Sequence, residues 1–256
     1  MTALALEANG LAKRFGALVV TDDVTIKVPT GARLALIGPN GAGKTTLVGL
    51  LTGLLRADAG SVVLNGRDVT SLAPARRVKQ GLVRTFQINN LFRGLTILEN
   101  VFLAVSEHRG ASFSMLRPAG RCGQLIERAE AILETLGLAD VRHQTITDVS
   151  YGRQRLVEIA IALSLDPKVL LLDEPAAGIP GNEVSRLLDT IARLPAELAI
   201  LLIEHDMHVV RQFAREVIVL VAGRVLMSGS PQEVMASSEV RTVYLGGAGS
   251  GKAAHA

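Results

Sequence analysis

The segment 33–46, RLALIGPNGAGKTT, constrains this chain more than any other. An aliphatic run leads into Gly38-Pro39-Asn40-Gly41-Ala42-Gly43-Lys44-Thr45, which satisfies G-x-x-x-x-G-K-[ST]. Leu47, Leu50, Leu51 and Leu54 then recur at helical spacing. Glycines there let backbone N–H groups converge on phosphate oxygens, and the helix N-terminus adds the positive end of its dipole. Lys44 can reach the β- and γ-phosphates, and Thr45 offers a hydroxyl to Mg2+. The chain supplies its own control. Residues 246–253, GGAGSGKA, nearly repeat the pattern but end in alanine, with no strand before and no helical stripe after. Only the first copy has the context a nucleotide site needs.

Two further aliphatic runs, KVLLLDE at 168–174 and LAILLIEH at 198–205, read as buried strands of a parallel sheet covered on both faces. A second helical stripe, Leu156, Ile159, Ala160 and Leu163, lies between strands, so the expected core is doubly wound α/β. The middle differs. Thr96-Ile97-Leu98-Glu99 has the form of a capping box, and Leu125, Ala129, Ile132, Leu133 and Leu136 form a stripe that Gly137 can end. No strong strand is evident there, which predicts an inserted helical subdomain over about 91–165. Residues 108–123, rich in Gly, Pro and Arg, read as a connecting loop. Ser230-Pro231-Gln232-Glu233 opens what reads as the last helix. One domain over 1–245 and a flexible tail over 246–256 complete the expected organisation.

Composition excludes several alternatives. At 48% hydrophobic residues the chain is not disordered, and 3% aromatics with no tryptophan leave no base-stacking platform. A net charge of +3 from 27 basic and 24 acidic residues gives no nucleic-acid footprint, so no nucleic-acid partner is expected. The single cysteine forms no intrachain disulfide, and the N-terminus lacks the pattern of a signal peptide. A cytoplasmic location is expected, with docking on a membrane protein left open.

The run VLLLDEP sets Asp173 and Glu174 at the end of a buried strand, where doubly wound sheets collect ligands. Asp173 is suited to hold Mg2+ through water, and Glu174 to polarise an attacking water, a role worth about 10²–10⁴ in rate. With these residues in place the chain resembles the ATP-binding subunits of ABC transporters over about 6–245. The order of motifs carries the resemblance: Phe15, the loop 38–46, Gln87 in RTFQ, the signature at 150–154, Asp173 with Glu174, and His205.

The resemblance implies a P-loop NTPase core of the ABC ATPase type, with an N-terminal antiparallel β portion and the inserted helical subdomain. It implies that Phe15 stacks on adenine, while Gly38, Asn40, Gly41, Gly43, Lys44, Thr45 and Thr46 surround the phosphates. It makes Gln87 a sensor of Mg2+ and water that also contacts the transport partner, and it makes His205 a γ-phosphate ligand. Ser150, Gly152, Arg153 and Gln154 would contact ATP held by a second subunit. One copy of each motif therefore implies a homo- or heterodimer with two sandwiched ATP molecules. Two integral-membrane permeases and an extracytoplasmic solute-binding protein would complete the assembly, with this chain peripheral on the cytoplasmic face of the inner membrane.

The signature departs from Leu-Ser-Gly-Gly-Gln by carrying Val149 and Tyr151, and DEPAAG and LLIEHDMHVV share the same leaning. These look like the branch serving branched-chain amino-acid importers. Pro180 stands where most of the superfamily has aspartate, which questions equal turnover at the two sites. Other expectations stay open: an importer of urea or short-chain amides, a lipopolysaccharide exporter, or a soluble ABC protein of DNA repair or translation.

Overall fold

The computed structural model describes residues 3–85, 91–110 and 120–246. In chain order the elements are β1 (Leu4–Phe15), β2 (Leu18–Pro29), β3 (Arg33–Ile37), α1 (Lys44–Thr52), β4 (Ala59–Leu64), β5 (Arg67–Asp68), α2 (Pro74–Lys79) and β6 (Leu82–Arg84). Then come α3 (Ile97–His108), α4 (Gly120–Thr135), α5 (Tyr151–Leu163), β7 (Val169–Asp173), α6 (Gly181–Ala192), β8 (Ala199–Ile203) and α7 (Met207–Phe213). The chain continues through β9 (Glu216–Val221), β10 (Arg224–Gly229), α8 (Pro231–Ala236) and α9 (Ser238–Gly246).

The aliphatic runs read from the sequence become the centre of a six-stranded sheet in the order β10-β9-β3-β8-β7-β6. Its pairs are parallel except β9 with β10. Their continuous character has a direct cause: side chains alternate between two separate cores. Ala35 and Ile37 of β3, Leu170 and Leu172 of β7, and Ile200 and Leu202 of β8 face one core with the helices α3 to α7. Leu34, Leu36, Leu171 and Leu201 face the other, shared with α1 and a four-stranded antiparallel sheet in the order β2-β1-β4-β5. Each fully buried Leu or Ile contributes roughly 1.5–3 kcal/mol. The antiparallel N-terminal portion is therefore present as expected.

Between 91 and 165 the described elements are α3, α4, α5, two short 3-10 turns and one isolated bridge, Thr96 to Thr145. The Thr96–Glu99 capping box forms, and Gly137 adopts a φ of 67° just beyond α4. Three local expectations need correction. Helix α1 stops at Thr52 because Gly53 turns left-handed, so Leu54 falls outside the stripe and is exposed. The predicted loop 108–123 is helical at both ends, with His108 ending α3 and Gly120 beginning α4; residues 111–119 lie outside the described set. The helix opened by the Ser230 capping box is not the last, since α9 follows it and takes in Gly246; the remainder of the expected tail lies outside the described residues.

One buried arginine fixes the helix that follows the glycine-rich loop. Arg77 of α2 is buried and donates to Leu50 O at 2.8 Å and Leu51 O at 2.6 Å, carbonyls of the last turn of α1. It also donates to Leu72 O at 3.0 Å and Thr70 O at 2.7 Å. Arg77→Met fills similar space but leaves these carbonyls without their donor. It is expected to lower stability by about 3 kcal/mol, read as a lower urea midpoint with an unchanged m-value.

Candidate active site

Register decides where the chemistry gathers. Leu36 of β3 pairs with Ile203 of β8, and Ile203 also pairs with Asp173 of β7, so three neighbouring strands end at one level. The residues that follow them are Gly38, Glu174 and the pair Glu204–His205. This is the carboxyl edge of a parallel sheet, where doubly wound folds bind ligands.

At the end of β3 the chain must pass close to β9. A Cβ on Gly38 would lie 2.2 Å from Leu220 O, so only glycine fits. Gly43 caps α1 at a φ of 99°, where a Cβ would lie 2.6 Å from Val20 O. Helix α1 has no side-chain cap and no acidic residue in its first turn, which leaves its first N–H groups free for an anion. Lys44 Nζ folds back onto Gly38 O at 2.7 Å and Pro39 O at 3.1 Å. Burial lowers the Lys44 pKa, and Glu174 and Asp173 act against that lowering. Asn40 and Thr45 are exposed at the loop, with Thr46 half-buried behind them.

Glu174 occupies a left-handed backbone at φ 45°, an uncommon place for a non-glycine residue. Its N–H bonds to Ile203 O at 2.9 Å, and its Oε1 lies 3.4 Å from His205 Nδ1. Asp173 accepts from Arg84 of β6, a partner the sequence reading did not single out. Arg84 was visible in RTFQ, but nothing in that run indicates which strand lies beside it. Gln87 lies outside the described residues.

Phe15 ends β1 and is 48% exposed, with Lys13 Nζ 5.6 Å from its ring centroid. A phenylalanine serving the core would be covered. The hairpin it belongs to runs beside the glycine-rich loop, since Val20 O closely approaches both Gly43 and Gly223, and Gly223 N–H bonds to Ala42 O.

The signature occupies the N-terminus of α5, as expected, with Ser150 as N-cap. Its hydroxyl donates to Glu183 Oε2 at 3.1 Å, and the same oxygen lies where a Cβ on Gly152 would be, 2.4 Å away. Arg153 donates to Asp140 at 2.9 Å and Gln154 to Val149 O at 3.1 Å. Tyr151 packs against Gly178, and Arg155 lies 5.3 Å from its ring centroid. Among the described residues no hydrogen bond joins the signature to the loop at Gly38. The chain thus gathers Lys44, Asp173, Glu174 and His205 at one end of the six-stranded sheet, keeps Phe15 on the hairpin of β1 and β2, and presents Ser150 and Gly152 on another element.

Glu183 and Glu204 were not singled out from the sequence. Glu204 stood in the quoted run LLIEHD, and only its 2% exposure separates it from an ordinary strand-end acid. Pro180 is the N-cap of α6, with no side-chain cap bond.

A glycine-rich anion cradle, a lysine and a carboxylate at the end of a nearby parallel strand define a P-loop nucleotide-binding protein. Comparison with known proteins narrows the class. The pattern described as ABC transporter matches residues 21–177, and the chain belongs to that family of ATP-binding, ATP-hydrolysing subunits. It is 36% identical over 248 residues to the high-affinity branched-chain amino acid transport ATP-binding protein BraF of Pseudomonas aeruginosa. It is 38% identical over 250 residues to the LivG protein of the same description from Salmonella typhimurium. Each match covers 94% of this chain and 97% of the relative. The solved ADP conformation of MJ1267, an ATP-binding cassette of an ABC transporter, superposes with a TM-score of 0.83 at 29% identity. That match covers 96% of this chain and 99% of the other.

Proposed function

We propose that this chain is the ATP-hydrolysing subunit of an importer for branched-chain or related hydrophobic amino acids. The observation that carries the chemistry is the common level of the ends of β3, β7 and β8, which sets Lys44, Asp173, Glu174 and His205 around one anion cradle. The cargo class rests on the two relatives named for branched-chain amino acid transport and on the Tyr151 signature.

In this reading the phosphates rest on the backbone N–H groups at the start of α1, with Asn40, Gly41 and Thr46 around them, and Phe15 stacks on the base. Glu174 accepts a proton from the attacking water, and His205 orients Glu174 and donates to the γ-phosphate. The donors Thr45 and Asp173 are hard oxygens that suit Mg2+, with Gln87 as the further ligand. Among the described residues no cluster of three His, Cys, Asp or Glu side chains could cage a metal alone, which fits an ion carried in with the phosphates. Bound there, Mg2+ would neutralise phosphate charge.

Ser150, Gly152, Arg153 and Gln154 serve the nucleotide of a second ATPase subunit, in a homo- or heterodimer. Two permeases would carry the cargo path and an extracytoplasmic binding protein would deliver solute. Among the described residues no helix is long and apolar enough to cross a membrane. In this reading the chain sits on the cytoplasmic face of the inner membrane by docking on the permeases. An apolar cavity of about 160 Å3, lined by Leu54, Pro74, Val78, Leu91, Ile161 and Leu165, suits a permease contact and adjoins the strand leading to Gln87.

The test is recovery of the tagged chain from gently solubilised membranes, followed by mass spectrometry. Two polytopic permeases and a second, similar ATPase are the expected companions, and the reconstituted complex should take up leucine, isoleucine or valine only with ATP. Recovery with an export apparatus, or alone beside an intact control transporter, would remove the importer assignment.

A further inference from the structure

Glu204 stands out because the mechanism above leaves it unused. It follows β8, immediately before His205, and is 2% exposed. A carboxylate withdrawn from water costs several kcal/mol unless it is paired. Among the described residues its ion-pair contact is His205 Nδ1, at 3.9 Å. Burial pushes its carboxyl above the usual range; two backbone N–H bonds and His205 act against that rise, and Glu174 adds to it.

Those two bonds come from different segments. Ala176 N–H donates to Glu204 Oε1 at 3.3 Å, and His205 N–H donates to Oε2 at 3.2 Å. The Glu204 N–H itself donates to Leu36 O at 3.3 Å, which ties its backbone to β3. Ala176 stands two residues past Glu174, on the loop that leads to Pro180 and α6. His205 Nδ1 lies 3.4 Å from Glu174 Oε1. One buried carboxylate therefore spans the two segments that flank Glu174.

We propose that Glu204 is a positioning residue for hydrolysis, clasping the loop after Glu174 and the backbone of His205 in one fixed arrangement. The inference rests on Glu174 acting as the base. Glu204 makes no contact with the glycine-rich loop among the described hydrogen bonds, so its loss should spare ATP binding and strike the chemical step.

The experiment measures ATP hydrolysis against ATP concentration for the full chain with its ATPase partner, comparing Glu204→Leu, Glu204→Gln and Glu174→Gln. Displacing a catalytic group by about 1 Å costs about 100-fold, so Glu204→Leu should lose about that much kcat while KM for ATP stays within about twofold. Glu204→Gln keeps one acceptor but turns its NH2 toward the other N–H, and should lose about 10-fold in kcat with an unchanged thermal midpoint. A purely structural role predicts the opposite: a lower midpoint and a parental kcat for the folded protein. Parental kcat in Glu204→Gln, or a loss confined to KM, overturns the proposal even if Glu204→Leu fails to fold. Normal turnover in Glu174→Gln removes the base assignment and the inference with it, so the two failures are distinct.

Discussion

Glu174→Gln is expected to bind ATP, to hydrolyse it about 10²–10⁴-fold more slowly, and to accumulate as an ATP-bound dimer. The substitution is nearly isosteric. Its amide keeps the shape of the carboxylate, whose Oε1 lies 3.4 Å from His205 Nδ1, but it cannot take a proton from water. Nothing in the cradle at Gly38 changes, so nucleotide affinity should persist. Because the proposed reading assigns Ser150 and Gly152 to the nucleotide of a second subunit, closure would need that subunit, and blocked hydrolysis would leave the closed state with no exit. Phosphate release and light scattering with and without ATP read the two consequences separately. Parental steady-state turnover would take Glu174 out of the base role.

Lys44→Ala should fail one step earlier. The lysine stands at the first position of α1 with its Nζ 2.7 Å from Gly38 O, within electrostatic reach of Asp173 and Glu174. Alanine suits a helix, so the fold and thermal midpoint should hold. What is lost is the cation assigned to the β- and γ-phosphates, while Asp173 and Glu174 stay beside the cradle. Removing one partner of a desolvated charge pair costs about 2–5 kcal/mol, which corresponds to about 30- to 5,000-fold weaker binding. Calorimetric titration with ATP checks this, and parental Kd would count against the phosphate-loop assignment.

How much of this was legible before the structure depended on range. The strands ending at Ile37, Asp173 and Ile203 announce themselves, because burial on both faces demands unbroken aliphatic runs. The loop at Gly38 was legible for a local reason as well: its glycines, lysine and threonine are adjacent in sequence. Leu54 misled because a periodic stripe says nothing about the left-handed Gly53 that ends the helix first. Helix α9 was lost because a tail of small residues obscured SEVRTVYL. Arg84, Glu183 and Glu204 could not have been assigned. Each acquires its meaning from a partner brought near only by folding, 89 residues away for Arg84 and Asp173, 33 for Glu183 and Ser150, and 28 for Glu204 and Ala176.

The alternation of β3, β7 and β8 between two cores also governs how variants of this chain sort. Every aliphatic side chain along those strands is committed to one core or the other, so a change in size is felt by packing on that face and by the register of its neighbours. Lesions there reduce how much protein a cell holds. Lesions just beyond the last aliphatic residue of each strand spare abundance and reduce what each molecule does. The boundary between a shortage of the subunit and an idle subunit falls at Ile37, Leu172 and Ile203.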